Sequence, residues 1–215
     1  MMQIFVASVL AILAITSARA ETIKVAFVLS EQANVMDIAG PWEVFQDTML
    51  DDGQGSMPFV LYTVAQSTAP INTSGSGGPG MRITPDYSFA DAPTPDIVVV
   101  GAQRGGPELR AWITRQHAAG KTILSICTGA FELAQAGLLK GKSATTHHEY
   151  ADLFAQKYPD TKLIRVSRYV QSDPYLYTAG GLTSGIDLSL HIVASYFGEK
   201  QARRTADFLE YSRRP

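Results

Sequence analysis

The chain has 215 residues, of which 46% are hydrophobic and 18% charged, and its formal net charge is −2. This length and balance suit one globular domain with a large core rather than two domains. The near-neutral charge, with basic residues scattered along the sequence, argues against a nucleic-acid or anionic-membrane partner.

The first twenty residues differ in composition from the rest. Residues 4–15 carry no charge, and the small residues Ala18 and Ala20 follow at the spacing of a signal-peptide cleavage site. Such a run is shorter than the about 20 residues that cross a bilayer. We therefore predict a signal peptide over residues 1–20, one domain over residues 21–215, and a secreted or periplasmic protein with no membrane attachment after cleavage.

The remaining hydrophobic pattern alternates between strand and helix periods. The predicted strands cover residues 22–29, 59–65, 81–84, 97–100, 122–126, a short segment from 143, 162–170 and 175–178. The predicted helices begin near Pro41, at Pro107, after Cys127, and at residues 151, 184 and 199, and a polar, glycine-rich loop covers residues 67–80. This order predicts an α/β sandwich with a mainly parallel central sheet.

The single cysteine, Cys127, lies where a predicted strand turns into a helix. A residue at such a turn is held above the carboxyl edge of the sheet, beside unpaired N–H groups of the helix start. Helix N-termini lower thiol pKa values from about 8.5 to roughly 3.5–7.5, so we expect a lowered pKa for Cys127. Thr128 and Gly129 would offer N–H donors to a developing anion. A buried structural thiol is the competing interpretation.

Two other loops are expected at the same edge of the sheet, because the carboxyl ends of parallel strands lie together. They cover residues 30–37 and 101–106. The first contains Asp37, an aspartate between apolar neighbours in the predicted entry to the helix at Pro41. The pair His147 and His148 suggests a metal site, but adjacent side chains diverge and no second ligand cluster follows. We predict no metal and no cofactor.

Four motifs resemble the ThiJ/PfpI superfamily, whose flavodoxin-like fold is shared with class I glutamine amidotransferases. They cover residues 36–45, 97–101, 126–131 and 178–187. The pattern is most similar to the subgroup of isonitrile hydratases and AraC-type sensor domains, which carry Cys-Thr-Gly where peptidase-like members carry Cys-His-Gly. The resemblance implies a flavodoxin-like three-layer sandwich and a homodimer.

The resemblance also implies roles for individual residues. Cys127 would be the nucleophile, Asp37 the acid/base group, and Thr128 a further site residue. Backbone amides of Gly101, Ala102, Thr128 and Gly129 would stabilise developing charge, and His147 would contact substrate. The implied reaction converts a small electrophile, an isonitrile, to an N-substituted formamide, and it requires a raised pKa for Asp37.

Other functions remain open at this stage. An activated thiol also suits a redox, stress-response or ligand-sensing protein, and His147 near the cysteine would suit a glyoxalase or deglycase. Direct gene regulation is disfavoured, because no DNA-binding helix-turn-helix is predicted after the sandwich.

Overall fold

The computed structural model of the chain describes residues 22–75, 77, 78 and 80–213. Its strands are β1 (Ile23–Val28), β2 (Phe59–Ala65), β3 (Ile71–Asn72), β4 (Arg82–Ile83), β5 (Tyr87–Ser88), β6 (Ile97–Val100), β7 (Thr122–Ser125), β8 (Ser143–Ala144), β9 (Lys162–Leu163), β10 (Tyr169–Asp173) and β11 (Leu176–Ala179). Its α-helices are α1 (Val35–Gln46), α2 (Pro107–Ala118), α3 (Gly129–Gln135), α4 (Ala151–Lys157), α5 (Ser184–Phe197) and α6 (Glu199–Phe208), with a short 3₁₀ turn at His148–Tyr150.

The predicted signal peptide over residues 1–20 lies outside the described residues. Within the described part of the chain, no helix has both the length and the apolar character that crossing a membrane requires.

Seven strands form the central sheet in the order β10-β11-β7-β6-β1-β2-β5. Neighbouring strands run parallel except for the antiparallel pair β10 and β11. All four residues of β6 are buried, which is typical of a parallel strand covered on both faces. The mainly parallel sheet is therefore confirmed, and it brings the ends of β1, β6 and β7 together at its centre.

Helices cover both faces of this sheet. Residues of α1, α5 and α6 pack on one face around Phe27 and Leu124, and residues of α2, α3 and α4 pack on the other around Val98 and Ile123. The result is the predicted three-layer α/β sandwich.

Helix α1 begins six residues earlier than the sequence predicts. The side-chain Oδ1 of Asn34 accepts hydrogen bonds from the N–H groups of Met36 and Asp37 at 2.9 and 3.3 Å, which caps the helix at Val35. Pro41 lies inside the helix rather than at its start. The prediction that Asp37 lies in an entry loop is therefore wrong: Asp37 belongs to the first turn of α1.

The predicted strand at residues 162–170 is also wrong in its extent. Two strands, β9 and β10, replace it, and the intervening segment turns where the Ser167 hydroxyl donates a hydrogen bond to the carbonyl of Tyr169. The glycine-rich loop at residues 67–80 contains one short strand, β3, which pairs with β4. The edge strand β5 was not predicted.

Candidate active site

The backbone at Cys127 adopts an unusual conformation between β7 and α3. Its φ angle is +58°, a left-handed value that costs a non-glycine residue about 1–3 kcal/mol. The surrounding chain fixes this conformation: Cys127 N–H donates to the carbonyl of Gly180 at 2.9 Å, and the Thr146 hydroxyl donates to the carbonyl of Cys127 at 2.9 Å. A sharp, strained turn therefore holds the thiol at the edge of the sheet.

Asp37 lies fully buried beside this turn. Its Oδ2 accepts a hydrogen bond from Ala102 N–H at 2.9 Å, whereas Oδ1 has no partner of good hydrogen-bond geometry among the described residues. The close approach depends on Gly101, because a Cβ atom at that position would lie 2.8 Å from the Cβ of Asp37. The end of β6 thus positions the carboxyl group from α1.

Burial raises the pKa of Asp37 from its ordinary 3.8 to about 6. Hydrogen-bond interactions with the amide of Ala102, the thiol of Cys127 and the amide of Leu182 act in the opposite direction and lower the pKa. Desolvation is the larger effect, as expected for a carboxyl group removed from water. The raised pKa that the proposed acid/base role of Asp37 requires is therefore present.

The pKa of Cys127 is raised to about 12, so the sequence-based prediction of a lowered value is wrong. Burial is the largest cause, and the negative charge of Asp37 is the second. The amides of Thr128 and Leu182 lower the pKa but do not offset these two effects. At neutral pH the pair consists of a protonated thiol beside a carboxyl group that is largely ionised.

Two of the predicted anion-stabilising amides are already used inside the protein. Ala102 N–H donates to Asp37, and Gly129 N–H donates to the carbonyl of Ile126 at 2.9 Å. The amides of Thr128 and Leu182 both interact with the thiol and lower its pKa.

Sequence reasoning assigned no role to Leu182. It lies in the predicted turn after Gly180 and Gly181 and has a left-handed φ angle of +52°. The family motif over residues 178–187 indicates that this turn belongs to the site. The sequence does not show which amide of the turn points at the thiol.

Cys127 opens into a cavity of about 600 Å³. The lining residues come from several loops of the described chain: Gln32, Asn34, Ser74, Ala102, Gln103, Arg104, Cys127, Thr128, His147, Glu149, Tyr150 and Leu182. Left-handed backbone occurs at three of them, Gln32, Cys127 and Leu182. Strained residues of this kind concentrate at functional sites, so the cavity is the best candidate for a substrate site.

His147 lines the same cavity but does not form a pair with the cysteine. Its Nδ1 accepts a hydrogen bond from Glu149 N–H at 3.2 Å, and its ring stacks on His148 at 4.5 Å. Over the described residues, no hydrogen bond joins it to Cys127, and no group of three or more His, Cys, Asp or Glu side chains could hold a metal ion. Among the described residues, Asp37 is thus the titratable side chain that interacts with the thiol.

A three-layer sandwich with a mainly parallel sheet, in which a strained cysteine lies beside a buried aspartate, defines a flavodoxin-like α/β protein. The model of the DJ-1/PfpI family matches residues 23–195, and the chain belongs to this family.

The isonitrile hydratase of Pseudomonas putida is 32% identical over 200 residues, which cover 90% of this chain and 80% of that protein. A crystal structure of a ThiJ/PfpI family protein from Pseudomonas syringae superimposes with a TM-score of 0.74 and 27% identity, covering 90% of this chain and 77% of that one.

Transcriptional regulators are similar as well. The HTH-type regulator GbdR of Pseudomonas aeruginosa is 28% identical over 142 residues, which cover 62% of this chain but only 37% of the regulator. The family therefore joins enzymes and regulators on one fold, and the family alone does not decide the activity.

Proposed function

We propose that the protein hydrates an isonitrile to an N-substituted formamide, with Cys127 as nucleophile and Asp37 as acid/base group. The observation that carries the proposal is the contact between the thiol and the buried carboxyl group of Asp37. Similarity to an isonitrile hydratase supports the choice of reaction. Proton transfer requires the donor and acceptor to lie close together, and the thiol and the carboxyl group are close enough for each to shift the pKa of the other.

The first step adds the thiol across the terminal carbon of the substrate. The Asp37 carboxylate accepts the proton of Cys127 as Sγ bonds to the carbon of R–N≡C, and the carboxylic acid then returns that proton to the same carbon. The product is a thioimidate, R–N=CH–S–Cys127, with no change in oxidation state. Because the thiol is protonated at neutral pH, its proton must leave during attack, and Asp37 is the base that takes it.

Water completes the reaction. Asp37 accepts a proton from water as the water oxygen bonds to the thioimidate carbon, and the Asp37 carboxylic acid then gives this proton to the substrate nitrogen. The C–S bond of the resulting tetrahedral intermediate breaks as Asp37 transfers the proton of the intermediate's hydroxyl group to sulfur, so the formamide R–NH–CHO leaves and the thiol is restored. N–H groups of Thr128 and Leu182 face the sulfur and stabilise the charge that develops on it when this bond breaks.

The alternatives have weaker support. A peroxide-sensing thiol needs an appreciable thiolate fraction, and the raised pKa of Cys127 opposes this. A glyoxalase or deglycase would use His147, which lines the cavity without bonding to the thiol.

The test is hydration of an aryl isonitrile by the wild-type protein, measured as formamide. Cys127→Ser and Asp37→Asn should each abolish the product while the far-ultraviolet circular dichroism spectrum stays unchanged. Asp207→Asn, at an exposed position on α6, is the matched control and should keep full activity. Equal formamide production by wild type and Cys127→Ser would refute the proposal.

A further inference from the structure

A second cavity, of about 810 Å³, adjoins the one that contains Cys127. The two cavities share His147 and Leu182. Its wall contains two arginines, Arg165 and Arg168, and two histidines, His147 and His148. None of the described residues that line the second cavity is acidic.

Arg168 lines this second cavity and is held by several hydrogen bonds. Its Nε donates to the buried carboxylate of Asp187, and its Nη2 donates to the Thr183 hydroxyl at 3.1 Å and to the Tyr211 hydroxyl at 3.3 Å. These bonds fix the plane of the guanidinium group before any ligand binds. The side chain is still 27% exposed, so it contributes a positioned cation to the wall of the cavity.

Arg165 has a weaker partner. It forms an ion pair with Asp152 at 2.7 Å, but the side chains are 52% and 92% exposed. Ion pairs between exposed side chains contribute little to stability, because solvent screens both charges. An anion bound in the cavity could therefore replace Asp152 as the partner of Arg165 with little loss of free energy. A carboxylate suits this position because it accepts two parallel hydrogen bonds from a guanidinium group.

The two adjoining cavities together are larger than a small isonitrile requires. Pockets for drug-sized ligands occupy about 300–1,000 Å³, and each of the two cavities reaches that range alone. A small isonitrile at Cys127 would leave the second cavity empty. Contacts with a remote, non-reacting part of a substrate are a common source of binding energy for catalysis.

We propose that the second cavity binds a carboxylate or similar anionic group of the substrate while the electrophilic carbon lies at Cys127. The substrate class is then an electrophile with an anionic group at its far end. The identity of the reacting group rests on the proposed function, but the preference for a negative charge does not.

Two matched affinity labels test this preference without any turnover. The labels are 4-(iodoacetamido)benzoate and the neutral 4-(iodoacetamido)benzamide, which deliver the same alkylating group to Cys127. Second-order rate constants for labelling of Cys127 are measured at one pH and ionic strength by peptide mass spectrometry. The wild-type protein should react at least about tenfold faster with the carboxylate, the ratio that one charge-assisted hydrogen bond is worth.

Arg165→Gln should reduce this preference at least threefold and leave the rate with the neutral label unchanged. Arg115→Gln, an exposed arginine on α2 that lines neither of the two cavities, should keep the wild-type preference. Equal rates with both labels in the wild type, or an undiminished preference in Arg165→Gln, would overturn the proposal. The labelling preference does not depend on isonitrile turnover. The labelling experiment therefore tests the anion site independently of the proposed hydratase function.

Discussion

The carboxyl group of Asp37 and the thiol of Cys127 control each other's protonation. Burial raises the pKa of Asp37 to about 6, and the charge on Asp37, together with burial, raises the pKa of Cys127 to about 12. The proton therefore resides on sulfur at neutral pH, and a carboxylate in contact with it is ready to accept it. The pair is a carboxylate beside a protonated thiol rather than a free thiolate.

Removal of the charge on Asp37 should make Cys127 more reactive toward alkylation. In Asp37→Asn the coulombic and hydrogen-bond contributions that raise the thiol pKa are lost, so the pKa should fall. Alkylation by iodoacetamide at pH 8 should be several times faster than in the wild type, although hydration activity is lost. Iodoacetamide rates measured from pH 6 to 10 compare the thiolate fractions of the two proteins at each pH, and an unchanged rate in Asp37→Asn would contradict the coupling.

Asp37 should also make the folded protein less stable above pH 6. The pKa of this group is higher in the folded state than its ordinary 3.8, so its stabilising contribution is complete below pH 3.8 and disappears as the pH rises through about 6. The difference between the two pKa values corresponds to about 3 kcal/mol.

Urea unfolding at pH 5 and pH 8 measures the part of this effect that lies between these two pH values, about 1.4 kcal/mol. The unfolding free energy of the wild type should fall relative to that of Asp37→Asn between these two values. A parallel pH dependence in both proteins would show that Asp37 does not titrate in this range.

Hydration activity should depend on the ionised form of Asp37. The value of kcat/KM is expected to rise with pH up to about 6 and then to reach a plateau, because the free enzyme needs the carboxylate as a base. Asp37→Asn should lower kcat by about 100- to 10,000-fold, the usual contribution of general acid–base catalysis. Activity that rises steadily to pH 10 would instead indicate a reaction through free thiolate.

Gly129 should tolerate no larger residue, because it lies against the end of β6. A Cβ atom at this position would be 2.2 Å from the carbonyl oxygen of Val100, which is backbone and has no alternative rotamer. Gly129→Ala is expected to lower the unfolding free energy by about 1–3 kcal/mol or more, measured by urea unfolding. Gly78→Ala, where no atom lies within 4 Å of the added Cβ, is the control and should be nearly neutral.

The sequence predicts the layers of this fold more reliably than the details of its site. Runs such as Ile97–Val100 have an unambiguous hydrophobic pattern, and the turn at Cys127 follows from a change of period. The start of α1 was mispredicted because Pro41 is a stronger local signal than the cap of Asn34, although the cap determines the helix start.

The pKa of Cys127 could not be predicted from local sequence for a similar reason. The two main causes of the raised pKa are burial of the thiol and the negative charge of Asp37, which is ninety residues away along the chain. Contacts between distant loops also decide which amides face the thiol. The homodimer and the periplasmic or secreted location stay predictions.

The most direct test of the central claim is detection of the covalent intermediate on Cys127. An aryl isonitrile is mixed with the wild-type protein, the reaction is stopped with acid within its first turnover, and the peptide that contains Cys127 is analysed by mass spectrometry. The proposed mechanism predicts that the mass of this peptide increases by the full mass of the isonitrile, that the adduct decays as formamide appears, and that Cys127→Ser forms no such adduct. Undiminished formamide production by Cys127→Ser without an adduct would contradict the account.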